Sequence, residues 1–133
     1  MKQLLLIDID PEKILLAAEW VERLSRSYGL SQREAFEIKT CVVEAINNAF
    51  EHGYHGGRGK IQISSWRDDG RMLVQITDQG TPANPPVAPK ASEADLFTLR
   101  GRGWMIINGW MDEATLFSTS VGNIVHLAKR LPG

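Results

Sequence analysis

The sequence predicts an α+β fold: a two-layer α/β sandwich whose mixed, mostly antiparallel sheet carries helices on one face. Three observations lead there. Segments follow one another as β-α-α-β-β-loop-α-β-β, two of the strand segments form a hairpin pattern, and 133 residues suit one core. A chain of this length buries roughly two thirds of its unfolded surface, so it needs no disulfide or metal staple. A single domain over residues 1–133 is expected.

Residues 2–9 are rich in Leu and Ile and read as a strand. Asp10-Pro11 supplies an N-cap followed by Pro at the first helical position. From Pro11 to Tyr28, Ile14, Leu15, Ala18, Val21 and Leu24 recur at helical spacing, and Gly29 ends the helix. Ser31 with Glu34 forms a capping box that opens a second helix running to about Gly53. The glycine-rich stretch Tyr54–Gly59 is a loop. Lys60–Trp66 and Arg71–Asp78 then alternate as strands joined through Asp68-Asp69-Gly70.

Residues 79–95 change character. Four of the six prolines fall here (Pro82, Pro85, Pro86 and Pro89), which excludes a helix or a central strand. Long loops of this kind are commonly lids or binding loops. A short helical patch (Ser92–Leu99), Gly101-Arg102-Gly103 and an apolar run Trp104–Trp110 follow. Two last strands, near Asp112–Ser118 and Ile124–Lys129, complete the pattern.

Composition excludes several functions. A net charge of −1 gives no global field for nucleic acid or acidic lipid. The lone Cys41 excludes an internal disulfide framework or a multi-cysteine zinc site and reads as a small buried residue. The apolar run Leu4–Ile7, ended by Asp8, is too short for a signal segment or a membrane span, so the cytoplasm is the expected location.

Three elements carry chemistry. On a wheel of the second helix, Ala35, Ile38, Val42, Ile46 and Ala49 form the packing face, while Glu37, Glu44, Asn48 and Glu51 lie together on the other. Glu44 and Asn48 are one turn apart; a carboxylate can take a hydroxyl proton, and an amide oxygen suits a hard cation. Asp78-Gln79-Gly80 ends a strand, where a carboxylate can accept from an exocyclic amine and a glycine permits close approach. Gly101-Arg102-Gly103 opens a helix whose free N–H groups can meet phosphate. Taken singly, these are also a solvated helix face, a strand-ending turn and a hinge.

Their order is more specific than any one of them. Glu-x-x-x-Asn on a helix, Asp-x-Gly after a strand, a long loop and Gly-x-Gly opening a helix together resemble the ATPase domain shared by gyrase, Hsp90, histidine kinases and MutL, the Bergerat-type ATP-binding fold. Within that superfamily the chain is most similar to the stand-alone bacterial anti-sigma factor serine/threonine kinases. Glu44-Ala45-Ile46-Asn47-Asn48-Ala49-Phe50-Glu51-His52-Gly53-Tyr54 matches that family's N-box. Asp78-Gln79-Gly80 matches the first half of its first glycine box, and Gly101 through Ile106 its second. Met111-Asp112-Glu113 and Gly122 through Leu127 resemble its last two strands, so the likeness covers nearly the whole chain.

The resemblance implies ATP and Mg²⁺ as cofactors. Glu44 would be the general base on a serine or threonine hydroxyl, and Asn48 the Mg²⁺ ligand. Asp78 would read the adenine amino group with Gly80 beside the ring. Gly101 and Gly103 would hold phosphates, with residues 81–100 as the ATP lid. Arg100 and Arg102 flank those glycines, as charge neutralisers or as surface charge. Pro82 replaces the family's second glycine, and Ile124 stands where the superfamily often has a threonine near the adenine. Both departures fall at nucleotide positions, not at the base or metal positions.

The partners implied are a STAS-like anti-sigma factor antagonist and a sigma factor or other regulatory protein, with neither nucleic acid nor membrane. The family often acts as a homodimer, but no residue here marks the dimer face. The alternative is a non-catalytic nucleotide-binding partner-switch module, against which the retention of both Glu44 and Asn48 argues.

Overall fold

The fold is that of a computed structural model, which describes residues 2–54, 56–80, 102–120 and 122–133; of residues 102 and 103 only the backbone is described. The expected lid, the patch Ser92–Leu99, Arg100, Gly101, Pro82 and His55 lie outside these residues.

Strand β1 (Gln3–Asp8) leads into helix α1 (Pro11–Ser27), where the Asp10 side chain accepts from Lys13 N at 2.9 Å, as its cap position demands. Gly29, at φ 96°, lets the chain leave α1 through a left-handed residue. Ser31 and Glu34 exchange both bonds of the capping box at 3.1 Å, and α2 runs over Gln32–Asn48. A π-helical turn, Ala49–Gly53, follows where one continuous helix was expected. Strands β2 (Lys60–Asp68) and β3 (Arg71–Asp78) form the expected hairpin, with Asp69 and Gly70 both at positive φ as a tight two-residue turn requires. Helix α3 covers Arg102–Trp110, so Gly103 lies inside its first turn and not before it. Strands β4 (Glu113–Thr119) and β5 (Gly122–Arg130) close the chain.

The five strands are ordered β1-β2-β3-β5-β4, and every pairing is antiparallel where the sequence allowed a mixed sheet. Register aligns Leu5, Ile63, Ile76, Val125 and Leu116 in one row facing the helices, the last four of them buried. The adjacent row, Leu6, Gln62, Thr77, Ile124 and Phe117, therefore faces the opposite side.

Helix α2 packs against both α1 and α3 and covers β3. Its Ile38, Val42 and Ile46 are wholly buried and contribute about 1.5–3 kcal/mol each. A surface i,i+4 pair adds only a few tenths. The apolar face thus holds α2 in place and releases its polar side for other work. Leu15, placed by spacing on the inner face of α1, is 60% exposed, and Ala17 takes its place in the core. Among the described residues no helix is long and apolar enough to cross a membrane.

Candidate functional site

The C-terminal end of β3, the start of β5, the end of α2 and the first turn of α3 enclose one narrow cavity. Its walls include Asn48, Asp78, Trp104, Asn123 and Val125. The space between them takes about one water molecule.

Asp78 is only 5% exposed. Its Oδ1 accepts from Gly80 N at 2.9 Å and from Asn123 Nδ2 at 3.1 Å. Asn123, 2% exposed, receives on its own Oδ1 the Ser118 hydroxyl at 2.8 Å. Three strands thus contribute to one polar chain. Gly53, ending the π-helical turn, lies so near that a Cβ there would sit 3.1 Å from Asp78 Oδ1.

Gly80 has a reason inside the fold. A Cβ on it would meet the Gly53 backbone, 2.7 Å from its Cα. This glycine therefore permits the close approach of the π-helical turn that follows α2. Tyr54 fastens the same junction: its hydroxyl accepts from Gln79 N at 2.9 Å and donates to the Lys60 carbonyl at 2.6 Å. That clasp had no sequence signal beyond the tyrosine's position at the end of the N-box.

The helical wall is arranged differently. Asn48 was grouped with Glu37, Glu44 and Glu51 on one polar face, yet it is only 9% exposed because α3 and the sheet cover the end of α2. Its Nδ2 is buried without a hydrogen-bond partner. Trp104, the third residue of α3 and fully buried, has an Nε1 in the same condition. Buried donors are almost always satisfied, so two orphans in one cavity lining point to an absent acceptor. Glu44, one turn earlier on α2, is half-buried and outside the cavity lining. Glu37 leaves the group entirely, lying 3.8 Å from Lys129 of β5, whose Nζ also donates to the Trp110 carbonyl at the end of α3.

Two expectations about neighbours are resolved. Ile124 does not stand beside the Asp78 carboxylate: its row faces away, and Asn123, the register partner of Asp78, holds that place. The signal available in the sequence was a polar residue two positions before the inward-facing Val125 and Leu127. Cys41 is fully buried, and desolvation pushes its thiol up to about 12, which excludes a thiolate nucleophile.

The donor set fits the edge of a nucleotide. A buried carboxylate held by fixed donors suits an amine of a base, and the N-terminal turn of α3 opens beside Asn48. No cluster of three or more His, Cys, Asp or Glu exists among the described residues to hold a metal ion. A Mg²⁺ ion here would depend on Asn48 together with phosphate and water oxygens, its usual manner of binding. The cavity's width does not admit a purine ring unless its walls part.

A model of the histidine kinase-like ATPase domain family matches residues 7–129. The chain is 35% identical over 108 residues to an anti-sigma F factor of Bacillus licheniformis, covering 74% of this chain and 70% of that one. It is 33% identical over 109 residues to the anti-sigma F factor of Bacillus cytotoxicus, covering 76% and 73%. Among solved structures, the RsbU and RsbW domains of a Mycobacterium tuberculosis protein superpose with a TM-score of 0.72 at 17% identity. That match covers 98% of this chain and 32% of the other, so this chain spans about a third of it. The SiaB-SiaC complex from Pseudomonas aeruginosa gives a TM-score of 0.63 at 16% identity, covering 94% of this chain and 87% of that one. These two structures share the fold.

Proposed function

The chain belongs to the histidine kinase-like ATPase family, as its match over residues 7–129 establishes, and from that premise we propose that it is an anti-sigma factor kinase working by partner switching. It binds ATP with Mg²⁺, sequesters a sigma-like factor, and phosphorylates a serine or threonine of a small STAS-type antagonist. Relatives named anti-sigma F factor support the regulatory part of this reading. The observation that carries the nucleotide part is the buried Asp78 carboxylate sharing a cavity with the partnerless amide nitrogen of Asn48.

Each residue then has one task. Asp78 accepts an N–H from the exocyclic amine of the base. Asn48 would hold a Mg²⁺ ion through its amide oxygen, and that ion would supply neutralising charge to the phosphates. Backbone N–H groups at Gly101, Arg102 and Gly103 receive the phosphates. Glu44 takes the proton from the incoming hydroxyl, half-buried where a partner protein can reach it. Phosphoryl transfer asks mainly for positioning and charge neutralisation, so this small set suffices. Added phosphate charge on the antagonist would then weaken its complex and free the chain for the sigma-like factor.

The test is a transfer assay with Mg²⁺-ATP and candidate antagonist domains. Phosphoserine or phosphothreonine on the antagonist is expected. Nucleotide binding with no phosphate on any partner would sink the kinase reading and leave a nucleotide-gated binding module.

A further inference from the structure

We propose that the groove between the second half of α1 and the first turns of α2 docks an acidic, amphipathic helical segment of a partner protein. The proposal stands apart from the nucleotide reading and does not depend on it.

Helices α1 and α2 pack together, joined through residues 28–31. An open groove of about 570 Å³ runs between them, lined by Glu22, Arg23 and Arg26 of α1 and by Gln32 and Ala35 of α2. Ala35 is buried and small, which leaves the room between the two helices. The groove shares no lining residue with the cavity around Asp78. At 1.5 Å of rise per residue, Ala35 stands about 20 Å along α2 from Asn48.

Charge decides what the groove can take. Glu22 is answered by Lys39, whose Nζ lies 3.1 Å from its carboxylate. Arg23 and Arg26 are exposed, and neither has an ion-pair partner among the described residues. Glu19, one turn earlier on α1, does not line the groove. Arg26 Nη1 donates to the Leu30 carbonyl at 2.9 Å, which holds the guanidinium in place and leaves most of its donors for a ligand. A guanidinium fork matches a carboxylate, and two forks at i and i+3 match carboxylates one turn apart on a partner helix.

An apolar patch adjoins these charges. Phe36, one turn from Gln32 on α2, is 50% exposed, and its ring lies 6.2 Å from that of the exposed Trp110. Lys39 joins patch to groove, since the Nζ that pairs with Glu22 also lies 5.3 Å over the Phe36 ring. An aromatic pair beside the basic groove anchors an apolar side chain of a protein segment laid along it. Nucleic acid is the poorer fit, because a chain of net charge −1 offers its phosphates no wider basic field.

The test is fluorescence anisotropy with the full chain and a labelled helical peptide carrying glutamates on one face and leucines beside them. Its control is the same peptide with lysine for each glutamate. The glutamate peptide should bind at least about tenfold more tightly, the equivalent of one charge-assisted hydrogen bond. Its affinity should fall as salt is raised. Arg23→Glu should weaken it by at least about tenfold, and Phe36→Ala by about threefold. Arg58→Glu changes an exposed arginine outside the groove and should leave the affinity unchanged. Equal binding of the two peptides, or of neither, would overturn the proposal. So would an equal effect of Arg58→Glu and Arg23→Glu, which would reduce the binding to net charge. A single-stranded oligonucleotide that binds more tightly than the peptide and is lost in Arg23→Glu would overturn it too. If Phe36→Ala does not fold, Arg23→Glu decides.

Discussion

At the sheet wall of the cavity, Asp78 and Asn123 hold one another, with Gly80 N and Ser118 Oγ completing the chain of bonds. Across from them, Asn48 and Trp104 are also buried, yet Asn48 Nδ2 and Trp104 Nε1 have no partner. The first wall is finished by folding. The second keeps two donors that folding leaves unmet. Polar groups that complete each other stabilise a structure, whereas buried orphans lower its stability and raise its affinity for a ligand that satisfies them. The two walls should therefore answer mutation in opposite ways.

The largest effect is expected on chemistry alone. Glu44→Ala should reduce phosphotransfer by about 10²–10⁴-fold, the range for a lost general base. Its thermal midpoint should match the wild type, since Glu44 is half-buried and outside the cavity lining. Transfer at the wild-type rate would remove the assignment.

Asp78→Ala should cost about 2–4 kcal/mol in urea unfolding, because it removes the buried acceptor shared by Gly80 N and Asn123 Nδ2. Asn48→Leu, of similar volume, removes an orphan instead. Its stability should lie between unchanged and about 1 kcal/mol higher, while Mg²⁺-dependent nucleotide binding is lost. A loss as large as that of Asp78→Ala would erase the contrast between the walls.

The smallest effect concerns pH and lies away from the cavity. His126, on the sheet face opposite the helices, has its pKa lowered, first by burial and then by Arg71, against an opposing pull from Glu113. A depressed folded pKa means that the folded state favours the neutral ring. That contribution is complete above the ordinary value of 6.5 and is lost as pH falls through the lower folded value. Urea midpoints measured downward from pH 7 should drop in that window, and His126→Gln should flatten the drop.

Much of this was legible in the chain. Asp10-Pro11, the Ser31–Glu34 box and the Asp69-Gly70 turn mark element ends through local chemistry, and each appears as expected. Glu44, Asn48 and Asp78 were identified through the resemblance, and the structure brings Asn48 and Asp78 to one cavity. The misplacements have a common cause. Placing Ile124 near an adenine misses by one residue because strand parity depends on register, and such a shift exchanges the two faces. Asn48 was read as part of an open polar face because a helical wheel cannot show what else covers the helix.

Spacing, caps and turn residues within a few positions of one another suffice for the order of the elements and the antiparallel tendency of the sheet, while the resemblance to the family rests on the order of motifs from Glu44 to Leu127. Packing alone settles that Asn123 bonds to Asp78, that Gly80 makes room for Gly53, and that Asn48 is buried with an unmet nitrogen. Those facts belong to residues 45, 27 and more positions apart in the chain, which only the packing of α2 and α3 on a register-locked sheet brings together.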